Sequence, residues 1–271
     1  MSQTERINRP DGAELAAECQ GDSNRPALLL SNSLATTRAL WDPIMPDLLK
    51  AFRVVRYDTR GHGESSTPNN HATLANLADD AVAVLDHLQI PKALMVGISL
   101  GGMTALTVAL NHPTRVTGVL ACNCRSGVDE AGRTAWTQRV DVALAQGMDA
   151  LVQPTIERWF PENFRDANPS VMAAVADMIQ ATDPKGFAAC VQAITGSTLD
   201  SHLTQITVPT RFVAGDSDGA APPELMAAMA ARVRGARCTT LKACGHLSSI
   251  NQSEGLLMEI NSLAAAISTR S

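Results

Sequence analysis

The chain has no Cys-x-x-Cys pair, no apolar run of membrane-spanning length, no basic cluster and no acidic tail. Each absence removes a class of function. Its six cysteines (Cys19, Cys122, Cys124, Cys190, Cys238, Cys244) are spread along 271 residues, mostly among apolar neighbours, and read as reduced, largely buried thiols. Zinc and dithiol redox chemistry therefore have no framework, and no metal or organic cofactor is expected. Lys and Arg are scattered and the net charge is -5, which leaves no electrostatic footprint for nucleic acid. Residues 1–9 are polar and lack the apolar centre of a secretion signal, so a cytoplasmic protein with no membrane partner is expected. No internal repeat is visible.

What is present is alternation. Pro10-Asp11-Gly12 is a turn signal between residues 4–9 and 12–19, which read as a hairpin. Short apolar runs at 27–30, 52–55, 93–96, 116–121 and 208–214 then alternate with helical patterns at 74–88, 103–111 and 223–233, and a last strand is expected at 237–241. This pattern specifies an α/β fold with a mostly parallel sheet and helices on both faces. Between 123 and 203 the strands stop. Helical spacing at 135–145, 151–160, 170–182 and 184–195 is punctuated by Gly147, Pro161, Pro169 and Pro184. The expected organisation is a core of residues 1–122 and 204–271, with a helical lid, 123–203, inserted over the carboxyl edge of the sheet.

Gly97-Ile98-Ser99-Leu100-Gly101-Gly102 joins the apolar run 93–96 to the helical run from Met103. A serine there sits on a sharp strand-to-helix turn with its hydroxyl projecting outward, as a nucleophile requires. Serine is a poor nucleophile at neutral pH and needs a base. Among six histidines, His246 lies in Ala243-Cys244-Gly245-His246-Leu247, directly after the last expected strand. His71, His87, His112 and His202 fall on helices or surface-like turns and read as structural. His62 sits in a Gly-rich loop that precedes the serine, against the order serine, acid, base for this type of turn, and also reads as structural. Gly215-Asp216-Ser217-Asp218 follows the strand 208–214 and offers two acids to orient the base. Asp218 is favoured for its place further along the loop, and Asp216, closer to the strand as a turn or capping residue, is the fallback. The backbone N–H groups of Leu100, after the nucleophile, and Leu34, in the loop after the strand 27–30, are the expected oxyanion donors. Cys122-Asn123-Cys124 ends a strand, so one of these thiols is expected to line a pocket without being catalytic.

Four stretches carry a family likeness: Asn32-Ser33-Leu34, Val55-Arg56-Tyr57-Asp58-Thr59-Arg60-Gly61-His62-Gly63, Ser99-Leu100-Gly101-Gly102, and Gly245-His246-Leu247-Ser248 with Asn251-Gln252. Through them nearly the whole chain resembles the α/β-hydrolases, and within these the 3-oxoadipate enol-lactonases of aromatic-ring catabolism. Asn32-Ser33 stands where most α/β-hydrolases have His-Gly. Trp136-Thr137-Gln138-Arg139 and Glu157-Arg158-Trp159-Phe160 are similar to lid stretches of the lactonases. The chain departs from that subgroup in having Leu100 where methionine is usual, Ala35 where glycine is usual, and Ser253 where proline is common.

The resemblance implies a small unsaturated lactone that carries a carboxylate, opened through a Ser99, His246 and Asp218 triad. A lid arginine would pair with the carboxylate, with Arg139 first and Arg133 and Arg125 behind it, while Trp136 and Trp159 would pack the lid or touch substrate. The same fold also serves carboxylesterases, carbon-carbon bond hydrolases and perhydrolases, which a neutral aryl ester would distinguish. A ligand-binding receptor on a hydrolase scaffold would instead bind tightly without turnover, and the chain shows no partner-binding signature. The expected partner is a small lactone or ester, and a homo-oligomer is left open.

Overall fold

The computed structural model describes residues 3–67 and 72–269, so His71 lies outside the described residues. Within them one sheet contains β1 (Glu5–Asn8), β2 (Glu14–Gln20), β3 (Ala27–Ser31), β4 (Arg53–Tyr57), β5 (Ala93–Ile98), β6 (Val116–Cys122), β7 (Thr210–Gly215) and β8 (Arg237–Leu241), in the order β1-β2-β4-β3-β5-β6-β7-β8. The hairpin β1–β2 and the pair β2–β4 are antiparallel, and every other pair is parallel. A parallel strand covered on both faces needs apolar side chains at every position, and all six residues of β5 are buried.

The α-helices longer than four residues among the described residues are α1 (Leu74–His87), α2 (Leu100–Asn111), α3 (Glu130–Gln146), α4 (Asp149–Trp159), α5 (Glu162–Ala167), α6 (Pro169–Gln180), α7 (Pro184–Thr195), α8 (Pro223–Arg232) and α9 (Ser253–Ser268). Thr73 and Asn76 close a reciprocal capping box at the start of α1, with Asn76 N–H donating to Thr73 Oγ1 at 3.1 Å. No helix among the described residues is long and apolar enough to cross a membrane.

Two differences from the sequence reading have physical causes. Helix α2 starts at Leu100 and not at 103, because Gly101 and Gly102 act there as small packing residues and not as helix breakers. A Cβ on Gly101 would lie 2.0 Å from the carbonyl oxygen of Ser31, and one on Gly97 would lie 2.0 Å from that of Gly101. The start of α2 is thereby pressed against the ends of β3 and β5. Helix α9 was not anticipated. It buries Leu256, Ile260 and Leu263 against the side of the sheet formed by β6 and β7, and it packs on a turn helix, Arg38–Ile44, that holds the fully buried Trp41.

Helices α3 to α7 all fall between β6 and β7, where the strand pattern lapses. Helix α3 packs on α4 and α7, and α4 packs on α6. Of the residues of α3 only Ala143 is fully buried, and Trp136 and Arg139 are partly covered. The loops after β3, β5, β6, β7 and β8 emerge at the carboxyl edge of the sheet. Strands β3 and β5 are neighbours, while β4 lies on the other side of β3, so the order reverses between them and opens a crevice there.

Candidate active site

Ser99 closes β5 and precedes α2 with φ 56 and ψ -114, a conformation that non-glycine residues avoid at a cost of about 1–3 kcal/mol. Two backbone bonds hold it there: Ser99 N–H donates to Cys122 O at 2.9 Å, and Met103 N–H donates to Ser99 O at 3.0 Å. The side chain lines a cavity of about 650 Å³, part of it open to solvent. Among the described residues its hydroxyl has no hydrogen-bond partner, His246 included.

His246 lines the same cavity and is buried. Its Nδ1 lies 2.9 Å from Asp218 Oδ2, on the loop after β7. An ionised carboxylate only accepts, so Nδ1 carries a proton and donates it to Asp218. Asp218 is almost fully buried and also accepts from Ala220 N–H at 2.8 Å and Ala221 N–H at 3.1 Å through Oδ1. Burial pushes its carboxyl up, but His246 and the donated hydrogen bonds outweigh that, and the net shift is downward. Asp216 faces outward from the same loop and accepts from Cys244 N–H at 3.2 Å, so it braces the loop that carries His246 without touching the imidazole.

A residue that sequence reasoning missed completes this arrangement. Asn123 is fully buried with φ 50, a region that asparagine tolerates better than most side chains. Its Nδ2 donates to Asp218 Oδ2 and to Gly245 O, both at 3.1 Å, and so joins the loops after β6, β7 and β8. Asn123 also lines the cavity, whereas Cys122 and Cys124 do not. The expectation that one thiol faces the pocket is thus corrected: alternation along the strand end turns both inward, where burial raises both thiols.

The loop after β3 presents Ser33, Leu34 and Ala35 to the cavity. Among the described residues the Leu34 N–H has no partner, and the Leu100 N–H opens α2, where helix-starting amides lack an intrahelical acceptor. His62 fixes this loop: its Nε2 accepts from Ala35 N–H at 2.9 Å and its Nδ1 lies 3.1 Å from Arg60 O. The imidazole is wholly buried, and burial pulls its pKa down. His87, His112 and His202 bond to surface partners far from the cavity.

Helices α3 and α4 supply the other wall with Trp136, Arg139, Thr155, Arg158 and Trp159. Arg125 joins them from the loop after β6, its Nε donating to Ala220 O. Arg139 donates to Thr155 Oγ1 at 2.6 Å, while its buried Nε has no partner. Arg139 and Arg158 flank the Trp136 ring, with guanidinium carbons 5.7 and 6.0 Å from its centroid. Burial and then their mutual repulsion push Arg139 down, and burial and then Arg125 do the same to Arg158. No Asp or Glu lines the cavity, and among the described residues none of the three arginines has a carboxylate partner. Arg133 points away, donating to Val128 O at 2.9 Å on the exposed side of α3. Arg158 reaches the cavity only because α4 packs on α3.

A family model described as alpha/beta hydrolase fold matches residues 26–252. Over 198 residues the chain is 34% identical to 3-oxoadipate enol-lactonase 2 of Acinetobacter baylyi, covering 73% of each. Its structure is similar to that of the enol-lactonase from Burkholderia xenovorans LB400, with TM-score 0.92, 32% identity, and coverage of 97% of this chain and 100% of the other. It is also similar to a thermophilic esterase from Thermogutta terrifontis in a malate-bound structure, with TM-score 0.91, 26% identity, and coverage of 98% and 99%.

Proposed function

The chain belongs to the α/β-hydrolase family and is a hydrolase, and on that premise we propose that it opens a small enol lactone bearing a carboxylate. One observation carries the reading: Ser99 and an Asp218-oriented His246 share a cavity whose opposite wall holds three arginines and no acid. The enol-lactonases at 34% and 32% identity and the malate named with the esterase structure support it.

In this reading helices α3 to α7 form the lid over the site. Ser99 Oγ attacks the lactone carbonyl as His246 Nε2 takes its proton, and Asp218 stabilises the imidazolium. The N–H groups of Leu34 and Leu100 hold the oxyanion. Collapse breaks the acyl C–O bond, and His246 returns the proton to the leaving oxygen, which is an enol. Its tautomerisation to a ketone makes ring opening effectively irreversible. Water, deprotonated by His246, then attacks the acyl-enzyme and frees Ser99. Arg139 pairs with the substrate carboxylate, beside Trp136 and with Trp159 packed over the imidazole.

The test compares a carboxylated five-membered enol lactone with a neutral aryl ester. Ser99→Ala is expected to lose about 10⁴-fold or more in kcat on both. Arg139→Ala should raise KM for the anionic lactone and spare the neutral ester. Wild-type turnover by Ser99→Ala would remove the nucleophile, and a preference for the neutral ester would make the protein a carboxylesterase.

A further inference from the structure

Gly186 stands in the first turn of α7, and its backbone meets that of Gly61, in the loop after β4, with no room for a side chain on either. A Cβ on Gly186 would lie 2.3 Å from Gly61 O, and one on Gly61 would lie 2.5 Å from Gly186 Cα. Gly61 also needs glycine for its φ of 77, but Gly186 is helical, and alanine would serve the helix better. The glycine at 186 therefore serves the contact. Two side chains tie α7 to the same loop: Thr67 Oγ1 donates to Asp183 Oδ2 at 2.9 Å, and Cys190 Sγ donates to Arg60 O at 3.5 Å. Burial keeps the Cys190 thiol protonated, as that bond requires.

The chain of contacts continues to the cavity. Arg60 O also accepts from His62 Nδ1 at 3.1 Å, so the imidazole and the α7 thiol share one carbonyl. A carbonyl only accepts, which puts the proton on Nδ1 and leaves Nε2 to accept from Ala35 N–H at 2.9 Å. The loop is held on both sides of Gly61 and His62. The Arg60 guanidinium bonds Asp80 through Nε and Nη2, both at 2.6 Å, and Ser65 Oγ donates to Asp58 O at 2.7 Å. A displacement of Gly61 therefore falls on His62. Ala35, at the other end of the imidazole, has φ 57, which a non-glycine residue keeps only where its surroundings impose it.

We infer that Gly186 is a positioning residue for the loop after β3: the close approach of α7 to Gly61 sets His62, and His62 sets Ala35 and with it the neighbouring Leu34 N–H. The inference rests on the reading of Leu34 N–H as an oxyanion donor for Ser99. It makes the seating of α7 a condition of turnover and not only of substrate fit.

Gly186→Ala in the whole protein tests this beside Gly118→Ala in β6, whose Cβ would meet Ile267 Cδ1 at 2.6 Å and Pro209 O at 2.9 Å and so overpacks the core away from the cavity. Denaturant melts compare the two for stability. Hydrogen exchange of the Ala35 amide and steady-state kinetics on a neutral aryl ester are then read in both. Relative to Gly118→Ala, Gly186→Ala is expected to speed Ala35 exchange about tenfold or more and to lower kcat about tenfold or more, with KM within about threefold. His62→Leu, which removes the acceptor, should give both effects, and adding Gly186→Ala to it should give little more. Should Gly186→Ala not fold, Thr67→Val with Cys190→Ala loosens α7 from the same loop, and faster Ala35 exchange is again expected. Ala35 exchange or kcat equal to that of Gly118→Ala, or effects of Gly186→Ala and His62→Leu that multiply, overturns the inference. The two readings fail separately. Wild-type turnover by Ser99→Ala refutes the nucleophile whatever Gly186→Ala does, while Ser99-dependent turnover with Ala35 exchange and kcat unmoved in Gly186→Ala refutes this inference alone.

Discussion

The backbone N–H of His246 donates to the carbonyl of Trp159 at 2.7 Å, and the Trp159 ring lies 6.2 Å from the imidazole at an interplanar angle of 23°. The candidate base is thus bonded on one side to Asp218 and on the other to the end of α4. The helical segment between β6 and β7 and the loop after β8 are positioned together.

Gly245→Ala tests that joint. A Cβ there would meet Trp159 O at 2.1 Å, so α4 or the loop must move. Overpacking of this kind costs about 1–3 kcal/mol. A lower denaturation midpoint is expected together with a lower kcat, because the displaced atom is bonded to the His246 backbone. A variant with unchanged kcat would show that α4 and the imidazole move independently.

Asn123→Ala is expected to lower kcat by about tenfold or more with a small change in KM, because it removes the donor that fixes Asp218 without touching the cavity's arginines. It also leaves Gly245 O with only the weak Cys244 Sγ donor at 3.4 Å in the interior, for a stability loss of about 1 kcal/mol. Asn123→Asp should be worse on both counts, since it sets a second carboxylate against Asp218. Steady-state kinetics and denaturant melts of the pair check the order, and equal effects would mean that only the volume of Asn123 matters.

The two aspartates of the loop after β7 separate in the same way. Asp218→Asn is expected to lose about 10⁴-fold in kcat, the effect of misplacing the imidazole tautomer. Asp216→Asn removes a brace on Cys244 N–H at a half-open position and should cost less than about tenfold. The reverse order of kcat values would transfer the orienting role to Asp216.

How much of this was legible in the sequence depends on whether a residue acts through local chain chemistry or through distant contacts. Ser99 and Asp218 each follow a short apolar strand and His246 follows the more polar edge strand Arg237–Leu241, so the parallel α/β pattern carries all three to one edge. The β8 boundaries were read correctly because polar residues and glycines flank them. Helix α9 carries a helical spacing at Leu256, Ile260 and Leu263 but follows no further strand that would mark it as part of the alternation. Asn123 stands between two cysteines, and its one local signal is the tolerance of asparagine for positive φ at a strand end. Arg158 carried no local signal. Only the packing of α4 against α3 brings it within 6.0 Å of the Trp136 ring that Arg139 also approaches.

His62 sets an acid limit of its own. Its pKa is pulled below the ordinary 6.5 by burial, and its Nε2 is occupied by Ala35 N–H. The unfolded chain therefore takes up a proton at a higher pH than the folded protein does. Stability from this residue is fully present above 6.5 and falls as pH drops from there toward the folded value. Protonation of Nε2 also breaks the bond to Ala35, next to the Leu34 N–H proposed for the oxyanion, so kcat should fall only as pH passes through the lowered folded value. His62→Gln, whose side-chain oxygen still accepts a hydrogen bond, is expected to remove the stability slope below 6.5. Denaturant melts of wild type and variant across this range measure it, and parallel curves for the two proteins would show that the slope arises elsewhere.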